Sequence, residues 1–145
     1  HSFKVIGISV RTTNENGQSA TDIPALWHRF MAEQIADSIT DKISPDIYCL
    51  YTDYEKDHTR PYTTIIGCRV NSLEAIPKGL KGHTIESGNY KLETVKGNIL
   101  EGLVFNAWVK IWNSGIARAF RSDFEVYGQK AIDPENAAVD IFISV

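Results

Sequence analysis

Apolar residues recur with the i, i+3, i+4, i+7 spacing of a half-buried helix in two stretches of the chain. The first stripe lies within residues 23–39, and the second begins about 77 positions later, within residues 100–116. The paired positions are Ile23 and Leu100, Leu26 and Leu103, Phe30 and Ala107, Met31 and Trp108, Ile35 and Trp112, and Ile39 and Ile116. A pattern repeated at a fixed distance indicates two copies of one structural unit.

Runs rich in branched and aromatic residues, many of them alternating with polar residues, precede and follow each helical stripe and predict strands. The predicted strands are residues 3–10, the hairpin 47–54 and 62–71, the interrupted strand 83–96, and the hairpin 122–128 and 138–145. Ser87, Gly88 and Asn89 predict a bulge or bend in the interrupted strand. When the two copies are superposed, residues 46–50 align with residues 123–127.

The order strand, helix, strand, strand, repeated once, predicts an α+β fold with a mainly antiparallel, curved sheet. Pro77 and Gly79 mark the boundary, so the halves are about residues 3–75 and 83–145 of a single domain. The first long helix should end near residues 40–43, and the second should run from Asn98 to about Arg118. A fold made of two halves has a seam between them, and we expect a ligand cleft there.

Composition narrows the function classes. Fifteen Lys and Arg against eighteen Asp and Glu give a net charge of −3, without the basic footprint expected of a nucleic-acid-binding protein. The sequence contains no apolar run of about 20 residues and no signal-peptide pattern, so we expect a cytoplasmic protein without a membrane partner. Cys49 and Cys68 lie in apolar strands and should be reduced core residues.

Glu125 is the strongest candidate for chemistry because it lies between Phe124 and Val126 in the middle of a strand. Alternation places it on one face with Tyr127, and the superposition of the copies predicts Tyr48 and Leu50 on the matching face. A carboxylate surrounded by aromatic and apolar groups can bind a large organic cation. The alternative is an ordinary cross-strand pair with Lys or Arg on a solvated face.

Other candidates for chemistry are weaker. Trp108 and Trp112 share one helical face, where core packing is the commoner role, although their indole N–H groups are easier to satisfy at a cleft edge. The acidic group Asp53, Glu55 and Asp57 falls in or beside a turn and is more typical of a solvated surface than of an acid and base pair. HExxH, CxxC and phosphate-binding motifs are missing from the sequence, so we expect no metal, no cofactor and no enzymatic activity.

Several segments in a fixed order resemble the gyrase-inhibitor-like effector-binding domain of AraC-type and MerR-type transcription regulators. They are residues 23–30, 51–57, 62–67, 123–127 and 139–143. The resemblance implies two pseudo-symmetric modules, a central cleft for hydrophobic and often cationic small molecules, and a buried glutamate at Glu125. The sequence leaves no residues for a helix-turn-helix, so we expect no direct nucleic-acid binding. It is similar to the free-standing modules encoded on integron cassettes that bind cationic drugs.

We therefore expect a binding module for lipophilic organic cations that senses or sequesters them. A separate transcription regulator or protein target could be a partner. The predicted site consists of Glu125 as the charge anchor, Tyr48, Tyr127, Trp108 and Trp112 as aromatic walls, and Phe30 and Leu50 as apolar lining. Two alternatives are a protein-interaction module of the gyrase-inhibitor type and, less favoured, a small-molecule hydrolase.

Overall fold

Seven strands and three α-helices make up the computed structural model, which describes residues 2–145. The elements are β1 (Phe3–Thr12), α1 (Ser19–Ala32), α2 (Ile35–Ser38), β2 (Ile47–Thr52), β3 (Tyr62–Val70), β4 (Lys81–Ile85), β5 (Tyr90–Gly97), α3 (Leu103–Trp112), β6 (Ser122–Tyr127) and β7 (Ala137–Ser144). Short 3₁₀ turns precede α1 and α3 and occupy the loop between β6 and β7. The predicted α+β class is confirmed.

The strands form one sheet in the order β4-β1-β3-β2-β6-β7-β5, and every neighbouring pair is antiparallel. The seam between the halves is the pair β2 and β6 at the centre of the sheet. From this seam outwards, β2, β3 and β1 follow in the first half, and β6, β7 and β5 follow in the same order in the second half. The predicted two-module architecture is therefore confirmed, with β4 as an additional edge strand.

The sheet is strongly curled, as the connection between its two edge strands requires. Although β4 and β5 lie at opposite edges, only the step from Ile85 to Tyr90 joins them, and it spans at most about 18 Å. A flat sheet would separate these strands by about 29 Å. The curl encloses a cluster of apolar side chains on the inner face: Val5, Tyr48, Leu50, Ile65, Ile85 and Phe124. The predicted interruption at residues 87–89 is present, but it separates two strands at opposite edges of the sheet rather than forming a bulge or bend within one strand.

Both main helices pack on the outer face of the sheet, one over each half. Leu26 and Phe30 of α1 pack on the buried core of β1, β2 and β3, whereas Trp108 and Ile111 of α3 pack on β7. Both cysteines are buried and free. No helix within residues 2–145 has the length and apolar character needed to cross a membrane.

The helices are shorter than the apolar pattern predicted. Gln34 adopts a left-handed conformation (φ 50°), which ends the first helix and starts the single-turn α2. The second helix stops at Trp112, and the hydroxyl of Ser114 donates to the carbonyl of Ile111 near this end. The residues beyond Trp112 are irregular up to β6, although Ile116 still packs against the α3 core. The stripe therefore marked buried positions beyond the helix itself.

A glycine pair sets the close approach of β1 and β3. Gly7 and Gly67 are directly opposite each other, and a methyl group on Gly67 would overlap the Ile6 carbonyl and lie 2.7 Å from the Gly7 Cα. We predict that Gly67→Ala lowers the free energy of unfolding by about 2 kcal/mol or more, because backbone rather than a flexible side chain must move. Urea denaturation measures the change. Gly115→Ala is the matched control, since its added methyl group meets no atom within 4 Å, and an equal effect of both substitutions would contradict the prediction.

Candidate functional site

A cavity of about 670 Å³ lies on the outer face of the sheet, between the helices of the two halves. One wall comes from α1, the other from α3, and the floor comes from the central strands β2 and β6. The aromatic lining residues are Trp27, Tyr51, Tyr54, Tyr62, Phe105, Trp108, Trp112 and Tyr127. The predicted cleft at the seam is therefore present.

Glu125 is the acidic group of the cavity floor. Its side chain is 1% exposed, and its neighbour across the seam is Cys49. Tyr51 and Trp108 donate to Oε2 from the hydroxyl (2.7 Å) and from Nε1 (2.5 Å), while the Tyr127 hydroxyl donates to Oε1 (2.5 Å). Three donors converge on one carboxyl group, and such bonds favour its ionised form.

The pKa of Glu125 is set by two opposed effects. Burial raises the pKa above the ordinary value for a glutamate, and the hydrogen bonds from Tyr127, Tyr51 and Trp108 partly offset this rise. Burial also raises the pKa values of Tyr51 and Tyr127, so both remain protonated donors at neutral pH. The site therefore presents a desolvated carboxylate that becomes neutral at a higher pH than an exposed glutamate does.

A buried ion pair lies at another part of the cavity wall, where Arg118 lines the cavity and Asp123 lies behind it. The Arg118 side chain is 5% exposed and donates from Nη2 to Oδ2 of Asp123 at 2.7 Å, while the Tyr54 hydroxyl donates to the same oxygen. The other oxygen of Asp123 accepts from the backbone N–H and the hydroxyl of Ser144. The charge of Arg118 is thus balanced by Asp123, and Glu125 makes no salt bridge to any residue in the described part of the chain.

Two aromatic rings lie against the Arg118 guanidinium, and a stacked pair of rings lines the cavity wall beside them. Its Cζ lies 4.3 Å from the centre of the Phe120 ring and 5.6 Å from that of Trp108. The imidazole of His58 stacks parallel to Trp112 at 5.5 Å. Burial, followed by the charge of Arg118, lowers the pKa of His58, so this imidazole is neutral at pH 7.

The structure brings four of the seven predicted site residues to the cavity: Glu125, Tyr127, Trp108 and Trp112. Phe30 is buried in the core under α1 and does not line the cavity. Tyr48 and Leu50 lie on the inner face of the sheet, in the cluster that contains Phe124.

The face predicted for Tyr48 and Leu50 was wrong because the assumed shift between the copies is an odd number of residues. A shift of 77 positions aligns Tyr48 with Glu125, whereas the observed strand pairing places Cys49 opposite Glu125. Side chains alternate between faces, so a slip of one residue moves every side chain of the strand to the other face. An even shift would have placed Cys49 and Tyr51, rather than Tyr48 and Leu50, on the face of Glu125.

Sequence reasoning missed several cavity residues. Trp27 lies four residues from both Ile23 and Met31, so the three side chains share one face of α1, and all three line the cavity. This spacing could have identified Trp27 from the sequence. Arg118 and His58 lie in irregular segments after α3 and between β2 and β3, where no periodicity indicates their direction. Among residues 2–145, no group of three or more His, Cys, Asp or Glu side chains is arranged to hold a metal ion.

Two pseudo-symmetric halves with an aromatic, acid-floored cavity between their helices define an effector-binding type of protein. The family model of the integron-associated effector-binding proteins, Cass2, matches residues 1–145, and the chain belongs to this family.

Individual relatives agree with this assignment. The chain is 30% identical to the integron cassette protein VCH_CASS2 from the mobile metagenome of Vibrio cholerae, covering 100% of this chain and 91% of that one with a TM-score of 0.75. YobU of Bacillus subtilis (strain 168), whose name assigns it provisionally to the transcriptional regulators, is 27% identical over 96% of this chain and 89% of its own length. The solved structure of SAV2435 bound to tetraphenylphosphonium is 16% identical with a TM-score of 0.72, over 98% of this chain and 87% of that one, and shows the shared fold. The suspected family resemblance is confirmed.

The buried carboxylate should cost stability at neutral pH. Because folding raises the pKa of Glu125 above its unfolded value, its charge opposes folding at pH 7, and this cost disappears as the pH falls through the folded pKa. We predict that Glu125→Gln unfolds at higher denaturant concentration than the parent at pH 7, and that this advantage shrinks towards about pH 4. Parallel urea titrations across this range measure the difference, and an advantage that grew on acidification would contradict the account.

Proposed function

We propose that this protein binds lipophilic organic cations in the cavity between its helices and acts as a sensor or sequestering protein for them. The observation that carries the proposal is the ionisable group of Glu125, buried on the floor of a largely aromatic cavity and unpaired with any basic side chain of the described residues. A ligand cation supplies the counter-charge that residues 2–145 do not. The aromatic walls can cover the apolar part of the same molecule.

The charges of the cavity favour a cation over an anion. Asp123 balances Arg118 and His58 is neutral, so ionisation of Glu125 gives the cavity one net negative charge. The three hydrogen-bond donors hold this carboxylate in place before a ligand arrives, which reduces the ordering cost of binding. Apolar burial at about 25 cal/mol per Å² then supports affinity for many shapes of ligand, whereas the carboxylate selects for charge.

The relatives support this proposal in general terms. SAV2435, which shares the fold, was solved with tetraphenylphosphonium, a lipophilic cation. YobU carries a regulator's name, which is consistent with a role in which ligand binding is reported to a transcription regulator. The Cass2 family is described as effector-binding, and this agrees with binding rather than catalysis as the activity of the cavity.

The proposal predicts a preference for charge at constant size. Methyltriphenylphosphonium and 1,1,1-triphenylethane have nearly the same shape, but only the first is a cation, and neither carries a hydrogen-bond acceptor. We expect the cation to quench the tryptophan fluorescence saturably, with a dissociation constant near the micromolar range, because Trp27, Trp108 and Trp112 line the cavity. The hydrocarbon should bind more weakly. Equal affinity for the two compounds would contradict the assignment of Glu125 as a charge anchor.

The substitution Glu125→Gln tests the role of Glu125 as the charge anchor by changing the protein instead of the ligand. The substitution removes the charge and nearly keeps the shape, so it should weaken the phosphonium by about 1–2 kcal/mol and leave the neutral hydrocarbon almost unchanged. Glu74→Gln serves as the control, since Glu74 is exposed and does not line the cavity. Isothermal titration calorimetry measures all three proteins, and an equal loss for both compounds would indicate damage to the cavity instead.

Cation binding should weaken on acidification. The pKa of Glu125 is raised by burial, so protonation removes the anchor at a pH above about 4.3, where an exposed glutamate titrates. His58 also lines the cavity and gains positive charge at low pH, which acts in the same direction. We expect a falling affinity for methyltriphenylphosphonium between about pH 7 and pH 4.5, and a much flatter profile for Glu125→Gln. An affinity of the parent that rose on acidification would contradict this prediction.

A protein-interaction module is the second candidate, and exposed apolar side chains near the cavity favour it. Met31, Leu100 and Phe105 line the cavity and are 61%, 74% and 54% exposed. Ile132 is 77% exposed and follows Ala131, which also lines the cavity. Such residues can cover a ligand or contact a partner protein. If this chain captured a transcription regulator in a binding assay and bound no cation, the result would support this second function.

A further inference from the structure

Arg118 carries hydrogen-bond donors that the protein does not use. Only Nη2 is bonded, to Asp123, whereas Nε and Nη1 are buried and have no partner among residues 2–145. An arginine side chain has donors only, so these two groups can be satisfied only by an acceptor. A buried donor without an acceptor costs stability, so these two groups need an explanation.

The position of Arg118 in the cavity explains why two of its donors have no partner. Arg118 lines the same cavity as Glu125, and both contact the indole of Trp108. The Nε1 edge of this ring donates to Glu125 at 2.5 Å, while the guanidinium lies over the ring at 5.6 Å from its centre. Glu125 and the guanidinium therefore lie on two sides of one indole, and both residues line a cavity large enough for a drug-sized molecule.

We propose that Arg118 forms a second polar subsite, which selects cations that also carry a hydrogen-bond acceptor, such as an ester or ketone oxygen, on the part of the molecule away from the charge. This inference rests on the proposed cation-binding function and specifies its ligand class. An acceptor oxygen satisfies Nε or Nη1, and a bond to a charged donor in a desolvated site is stronger than a neutral one. A second donor or a second cation is disfavoured there, because Arg118 can only donate.

His58 is a second unsatisfied group in the same region of the cavity. Its Nδ1 is buried without a partner, and its ring stacks on Trp112 and faces Phe120, the ring that also covers Arg118. A neutral imidazole can donate or accept a hydrogen bond, so His58 can pair with either an acceptor or a donor on the ligand. Arg118 is therefore the group that fixes the preference for an acceptor.

A pair of matched dyes tests the subsite. Tetramethylrosamine and tetramethylrhodamine methyl ester share one cationic ring system, and only the second carries an ester on its pendant phenyl ring. Fluorescence anisotropy of each dye with increasing protein gives the two dissociation constants. We expect the ester to bind about tenfold more tightly, the ratio expected of one additional charge-assisted hydrogen bond.

Two variants connect this ratio to Arg118. Arg118→Met combined with Asp123→Asn removes both members of the buried pair, so that no isolated charge remains, and it should reduce the ratio to about one while tetramethylrosamine still binds. Arg118→Lys keeps a positive charge beside Asp123 but lacks the guanidinium fork, and it should lower the ratio without abolishing cation binding.

The outcomes separate the subsite from the function on which it rests. Equal affinity of the parent protein for both dyes would overturn the subsite and leave cation binding intact, and this result does not depend on whether any variant folds. A tenfold preference that persisted in the double variant would overturn the role of Arg118. Absence of binding by either dye would overturn the cation-binding function together with the subsite.

Discussion

The site depends on one interaction, the convergence of three hydrogen-bond donors on the buried carboxyl group of Glu125. Burial alone would drive this group towards its neutral form, and the donors from Tyr51, Trp108 and Tyr127 oppose that tendency. These donors come from the strand across the seam, from the helix above, and from the same strand. Both halves of the fold must therefore be in place before the acid has its full set of partners.

The curled sheet and the two helices make this arrangement possible. Because β2 and β6 pair at the centre of the sheet, residues from both halves alternate towards the outer face at the seam. The helices cover each half but leave the seam between them open as the cavity. The curl of the sheet encloses apolar side chains on the inner face, and the cavity of about 670 Å³ lies on the outer face.

The sequence predicted the α+β architecture and the position of Glu125 at the cavity, because both rest on local patterns of apolar and polar residues. A carboxylate in the middle of an apolar strand identified Glu125, and helical stripes identified Trp108 and Trp112. The face of Tyr48 and Leu50 depended on a repeat with little sequence identity, where an error of one position reverses the answer. Arg118 and His58 lie in irregular segments whose direction is decided by tertiary packing, and neither could be placed from periodicity.

Direct titration of the Glu125 carboxyl carbon by ¹³C NMR, with and without saturating methyltriphenylphosphonium, tests the central claim most directly. In the free protein, we predict a pKa above that of the exposed glutamates, because burial outweighs the hydrogen bonds. In the complex, a cation beside the carboxylate stabilises its ionised form, so the pKa should fall well below its value in the free protein. A pKa of Glu125 that did not change on saturation with the cation would contradict the account.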